Sequence, residues 1–116
     1  MTTQFGKELK KLRIDLGMTL MDMAQQIQVS AAFLSAIETG RKRIPDGTLD
    51  TLANSFPQIA QEREKYEVLI NQARKEVSVS LEDVSYEDAY LATALARRFN
   101  TLTNEDKQKI RNLVTI

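Results

Sequence analysis

Cysteine and histidine are both missing from this 116-residue chain. Without cysteine there is no disulfide framework and no thiolate metal site, and without histidine the commonest metal ligand and the commonest general base are gone. Zinc and cysteine-protease chemistry are thereby excluded, and neither a metal nor a cofactor is expected. No apolar run approaches the ~20 residues of a membrane span, and the N-terminal stretch MTTQFGKELKK lacks the apolar core of a secretory signal. A cytoplasmic protein with no membrane partner is expected. Net charge is lacking as well, because 16 Lys and Arg balance 16 Asp and Glu. The length allows one domain with an appendage, or two very small ones, with a modest core at best.

What is present is concentrated between Thr19 and Pro45, in TLMDMAQQIQVSAAFLSAIETGRKRIP. Thr19 followed three residues later by Asp22 is a capping-box start, and Met23, Ala24 and Ile27 then recur on one helical face as far as Gln28. Ser30 can cap a second short helix whose inward positions are Leu34 and Ile37 and whose stop is Gly40, a residue that tolerates the left-handed conformation. The other face of that helix carries Ala31, Ala32, Ser35, Ala36 and Thr39 and no long side chain. Its backbone can therefore approach another surface closely. Arg41, Lys42 and Arg43 follow at once.

Taken together, LKKLRIDLGMT, DMAQQIQVS and FLSAIETGRKRIP resemble the Xre/Cro-type helix-turn-helix proteins, the family of the lambdoid phage repressors, over roughly residues 5 to 57. The resemblance implies a helix pair that docks on double-stranded DNA, its second helix in the major groove. Base-facing residues would then be Ala31, Ala32, Ser35, Ala36 and Thr39. Thr19, Ser30, Arg41, Lys42 and Arg43 would hold phosphates, with Lys7, Lys10 and Lys11 as lesser candidates. The family's pairing of a first-helix arginine with the glutamate closing the recognition helix falls on Arg13 and Glu38, a structural pair. Two positions depart from the pattern. Leu20 stands where the family often has a glutamine that touches DNA, and Gln28 stands at the turn where glycine is common, so Gln28 must take a positive φ or shift the turn.

Periodicity organises the rest. A first helix from about Thr3 to Leu16 places Phe5, Leu9, Leu12 and Leu16 inward and ends at Gly17. A fourth runs from Asp46 or Gly47 to Phe56, stopped by Pro57, and a fifth from about Gln58 to Lys75 buries Ile59, Tyr66, Leu69, Ile70 and Ala73. Then the period changes to two, since Val77, Val79 and Leu81 alternate with Ser78, Ser80 and Glu82. This predicts a strand over 77–82, whose unpaired edge would find a partner in a second copy across a two-fold axis, making Val77, Val79 and Leu81 dimerisation residues. The bland alternative is an extended linker. Helices over 85–100 and 103–115 follow, opened by Ser85 and by Thr103 with Asp106. The expected fold is all-α: a five-helix lambda-repressor-like DNA-binding domain over 1–76, then a dimerisation or partner-binding extension over 77–116 made of one strand and two helices.

Residues 1–56 carry Lys7, Lys10, Lys11, Arg13, Arg41, Lys42 and Arg43 against Glu8, Asp15, Asp22, Glu38, Asp46 and Asp50. Overall basicity cannot attract DNA here, so the positive charge has to act locally. The pairs Glu82/Asp83, Glu87/Asp88 and Glu105/Asp106 sit at helix starts, where caps and dipoles favour acids, so no enzyme is expected. The resemblance implies a sequence-specific transcriptional regulator, a homodimeric repressor on a two-fold operator. The alternative is an antitoxin that binds a toxin protein through its last two helices and silences its own operon. A helix-turn-helix kept only for protein contacts is the third reading.

Overall fold

Side-chain caps set most of the helix starts. The computed structural model describes residues 1–115. In its first unit, Met1–Val77, α1 spans Gln4–Leu16 behind Thr3, whose hydroxyl accepts from the Gly6 amide, and it stops at Gly17 with φ 66°. Helix α2 spans Leu20–Gln26 behind the Thr19/Asp22 capping box. Ser30 caps α3, Ala31–Glu38, by accepting from the Phe33 amide. Helix α4 spans Thr48–Ser55 and begins at Gly47, whose φ of 84° needs no side chain.

The core is one cluster. Phe5, Leu9 and Leu12 of α1 meet Met23 and Ala24 of α2, Leu34 and Ile37 of α3, and Ile44 from the loop after α3. Leu52, Phe56, Ile59, Tyr66 and Ile70 close it from the other side. Apart from the small Ala24, each is a large side chain removed from water, on the order of 1.5–3 kcal/mol apiece. Leu16, expected inward, is exposed; it lies at the last turn of α1, beyond the reach of the helices that cover Leu9 and Leu12.

Two expectations about the elements are corrected. The single fifth helix is two helices, α5 (Pro57–Gln61) and α6 (Arg63–Arg74), separated at Glu62 with φ −117° and ψ 36°. Periodicity reports which face is buried and says nothing about continuity, and the four residues around the break, Gln61 to Glu64, are all exposed, so no packing enforces helical geometry there. Pro57 opens α5 instead of merely ending α4; at the first helical position its missing N–H loses nothing.

The second correction is the strand. Among the described residues there is none: 76–80 have no regular structure, and a turn closes at Val84, whose amide donates to the Leu81 carbonyl at 3.4 Å. Val77, Val79 and Leu81 are all exposed. A strand exists only through its ladder, and no neighbouring segment offers donors and acceptors to this one. The alternation is therefore left without structure.

The second unit, Ser78–Ile116, contains α7 (Tyr86–Arg98), a 3₁₀ turn (Phe99–Thr101) and α8 (Asn104–Val114). Ser85 caps α7, and a Thr103/Asp106 capping box starts α8. None of its described residues is fully buried.

Candidate nucleic-acid interface

The turn between α2 and α3 is held by backbone bonds. Gln28 takes φ 62°, in the left-handed region where glycine would be unstrained, and the Val29 amide donates to the Ala24 carbonyl at 2.9 Å. Asp22, fully exposed, has its carboxyl held below the ordinary 3.8 by the Thr19 backbone amide and then by the Thr19 hydroxyl. In the Thr19 and Ser30 caps the hydroxyl oxygen accepts from an amide (Asp22 and Phe33). The exposed Ser30 hydroxyl therefore keeps its hydrogen to donate outward, whereas the Thr19 hydroxyl also serves the Asp22 carboxyl.

The far end of α3 is fastened to α1. Arg13 Nη1 lies 2.6 Å from Glu38 Oε2 and Arg13 Nη2 lies 3.0 Å from Glu38 Oε1, a two-pronged pair with the residues only 8% and 5% exposed. Arg13 Nη1 also lies 3.4 Å from Met23 Sδ. The Glu38 carbonyl accepts from the Thr3 amide at 3.0 Å and the Thr3 hydroxyl at 2.9 Å. Gly6 permits this approach, because a Cβ there would stand 2.4 Å from the same carbonyl. Neither Thr3 nor Gly6 was singled out from the sequence; the only signal was a threonine three residues before a glycine at a helix start.

After α3 the chain reverses through Gly40 at φ 79°, and the Arg41 and Lys42 amides both donate to the Ala36 carbonyl, at 2.9 and 3.2 Å. This fold-back turns the basic loop toward the same face that α3 leaves bare. The result is a shallow depression of about 440 Å³ lined by Ser30, Ala32, Phe33, Ser35, Ala36, Arg41 and Lys42. None of these is acidic. Phe33 is half-buried against the core, and its ring centre lies 5.8 Å from the Lys42 ammonium.

The expected residues divide accordingly. Ala32, Ser35 and Ala36 meet in the depression with Ser30, Arg41 and Lys42, although Ala36 is only 7% exposed. Ala31 is half-buried and packs on the core. Thr39 turns its hydroxyl back to the Ser35 carbonyl at 3.0 Å and accepts from Arg41 Nε at 3.1 Å. Thr19 is exposed at the start of α2. Arg43, expected on phosphate, instead pairs with the Glu76 carboxylate, and Arg74 lies 2.8 Å from Asp46 and 3.8 Å from the same Glu76. A carboxylate from a distant part of the chain competes there with any phosphate.

Residues 4–56 match the family model described as a helix-turn-helix domain. Over these residues the first unit is similar to a helix-turn-helix domain. The match agrees with the Xre/Cro-type resemblance and spans α1 to α4. No curated protein and no solved structure matches the chain. A helix-turn-helix domain marks a DNA-binding regulator in general terms. Among the described residues no group of acids could hold a metal ion, and no helix is long and apolar enough to cross a membrane.

Proposed function

We propose that the protein is a sequence-specific transcriptional repressor that occupies a two-fold operator as a homodimer, with α3 in the major groove of each half-site. The observation that carries this reading is the depression on α3, lined by the small side chains of Ala32 and Ala36, the hydroxyls of Ser30 and Ser35, the Phe33 ring and two cations, with no acid. Alanines cannot make the bidentate hydrogen bonds by which arginine reads guanine, so this lining reads thymine methyl groups and groove shape. Arg41 and Lys42 neutralise phosphates and set the register. Ser30 donates to a phosphate oxygen through the hydrogen its cap leaves free, and Thr19 meets the backbone at the start of α2.

Anisotropy titration of DNA from the protein's own promoter, at two salt concentrations, tests the phosphate contacts. Affinity should fall steeply with salt, with a log–log slope of about −0.9 for each phosphate held. Affinity that does not change with salt removes DNA from the account. Replacing thymine by uracil in the bound site deletes the methyl groups alone and should weaken binding by about 1 kcal/mol or more for each methyl read.

The exposed apolar side chains of the second unit favour a protein partner, which the antitoxin reading also provides. In that reading the same DNA contacts silence an operon encoding the toxin. Co-expression with the product of the adjacent gene decides between them: a stable complex supports the antitoxin.

A further inference from the structure

Four residues of α3 make a strip along the depression. At helical spacing their order around the helix is Ser35, Ala32, Ala36 and Phe33, and all four line it. Three of them offer only carbon. Phe33 is the one large surface, and its ring is held in place because it packs on the core and carries the Lys42 ammonium 5.8 Å from its centre. Phenyl and alanine carbons are among the surfaces that meet a methyl group in the major groove. The single polar group of the strip is the Ser35 hydroxyl, which donates or accepts according to its partner. Arg41 and Lys42 come from the loop beyond the helix, and Arg41 Nε is tied to the Thr39 hydroxyl at 3.1 Å.

On the reading that α3 lies in the major groove, we propose that this strip selects the C5-methyl group of a pyrimidine and not the base that carries it, so that 5-methylcytosine is bound in place of thymine. Thymine and cytosine differ in two ways on their major-groove edges. Thymine presents the O4 acceptor and a C5-methyl group, whereas cytosine presents the N4 amino donor and, unmodified, a bare C5. The Ser35 hydroxyl serves O4 or N4 alike, so the difference left for the strip to feel is the methyl group. An amide or a carboxylate there would fix one hydrogen-bonding polarity; none of the lining residues carries either. 5-Methylcytosine holds the same methyl group at the same place. Cytosine methylation therefore strengthens binding at positions read as thymine, and each methyl seated against Phe33 and the alanines raises affinity about fourfold, the gain from taking one carbon out of water.

A duplex selected from random DNA by the wild-type protein supplies the probe. Each of its thymines is replaced singly, first by uracil and then, with guanine opposite, by cytosine or by 5-methylcytosine. At positions where uracil weakens binding about fourfold, 5-methylcytosine should bind about fourfold more tightly than cytosine in anisotropy titrations. The two comparisons share no base pair, so equal ratios isolate the methyl group. Phe33→Leu keeps an apolar side chain on the core while withdrawing the ring, and it should bring both ratios under about twofold; circular dichroism checks that its helices persist. The duplex comparison uses wild-type protein and decides even where Phe33→Leu unfolds. If 5-methylcytosine binds no better than cytosine at the positions where uracil weakens binding, the proposal is overturned, as it is by unchanged ratios in a folded Phe33→Leu. Uracil that is silent at every position while binding stays salt-sensitive overturns it too and leaves the DNA-binding reading standing. A selection that enriches no duplex removes both.

Discussion

Removing the Glu38 carboxylate should unfold the helix-turn-helix domain before it alters recognition. In Glu38→Ala the Arg13 guanidinium keeps its burial and its contact with Met23 Sδ but loses both carboxylate oxygens, now at 2.6 and 3.0 Å. An uncompensated buried charge of this kind destabilises by about 3–5 kcal/mol, against a total stability of about 5–15 kcal/mol for a whole domain. In a unit this small each kcal/mol moves the melting temperature by about 4–8 °C, so a fall of about 12–40 °C is expected. Urea and thermal denaturation followed by circular dichroism measure it directly. The double variant Arg13→Met/Glu38→Leu removes the charges together and should recover to within about 2 kcal/mol of wild type. The reasoning fails if Glu38→Ala loses under about 1 kcal/mol, the range of a solvated surface pair, or if the double variant is no better than the single one.

Other outcomes are expected at the depression on α3 and at the close approach between α1 and α3. Ala32→Glu sets a carboxylate in the depression and should abolish promoter binding while the helical circular dichroism signal persists; unaffected binding takes α3 out of the groove. Arg41→Ala/Lys42→Ala should weaken binding to all sequences alike and make the salt slope shallower by about 2, and a loss confined to one sequence contradicts phosphate contact. Gly6→Ala drives a methyl group against the Glu38 carbonyl and should destabilise by about 1–3 kcal/mol in chemical denaturation; wild-type stability would mean that α1 can slide away freely. The Asp22 carboxyl is held below 3.8, so the capping box supports α2 above that pH and is lost as pH falls through the lowered value. The Thr19 amide proton resonance should titrate with a midpoint under 3.8, and a midpoint at or above it removes the hydrogen bond from solution.

Much of the first unit was legible because its determinants are local. Thr19 with Asp22, Ser30 and Gly40 are recognisable from spacings of three or four residues, and the same spacings pick out Phe5, Leu9, Leu34 and Ile37 as core. The Arg13–Glu38 pair is not local and came from the family resemblance; nothing in the spacing of two residues so far apart announces it. The Arg43–Glu76 pair was invisible for the same reason, since a basic run looks solvated until the rest of the chain is folded around it. Ala31 and Ala32 show a distinction that spacing does not resolve. They are adjacent and chemically identical, yet one packs on the core and the other lines the depression, a difference fixed by how α3 is rotated against α1. The strand over 77–82 failed because alternation is a necessary condition for a sheet edge and not a sufficient one.

Zero net charge becomes compatible with DNA binding once the acids are followed to their partners. In the first unit Glu38 is consumed by Arg13, Asp50 pairs with Arg63, Glu8 and Glu62 share Lys65, and Asp46 and Glu76 meet Arg74. All of these carboxylates except Glu38 face cations on α6, and none of them lines the depression on α3. Among the described residues Arg41 and Lys42 have no carboxylate within ion-pair distance, and Arg43 has Glu76. Exposed pairs such as Arg43–Glu76 are worth at most about 1 kcal/mol, so a phosphate can displace the glutamate, but only against that opposition. Glu76→Gln should therefore raise affinity for any DNA by a small factor and steepen the salt slope, because it frees a third cation beside the two already available. If Glu76→Gln leaves both quantities unchanged, Arg43 faces no phosphate in the complex, and Arg41 with Lys42 carry the backbone contact alone.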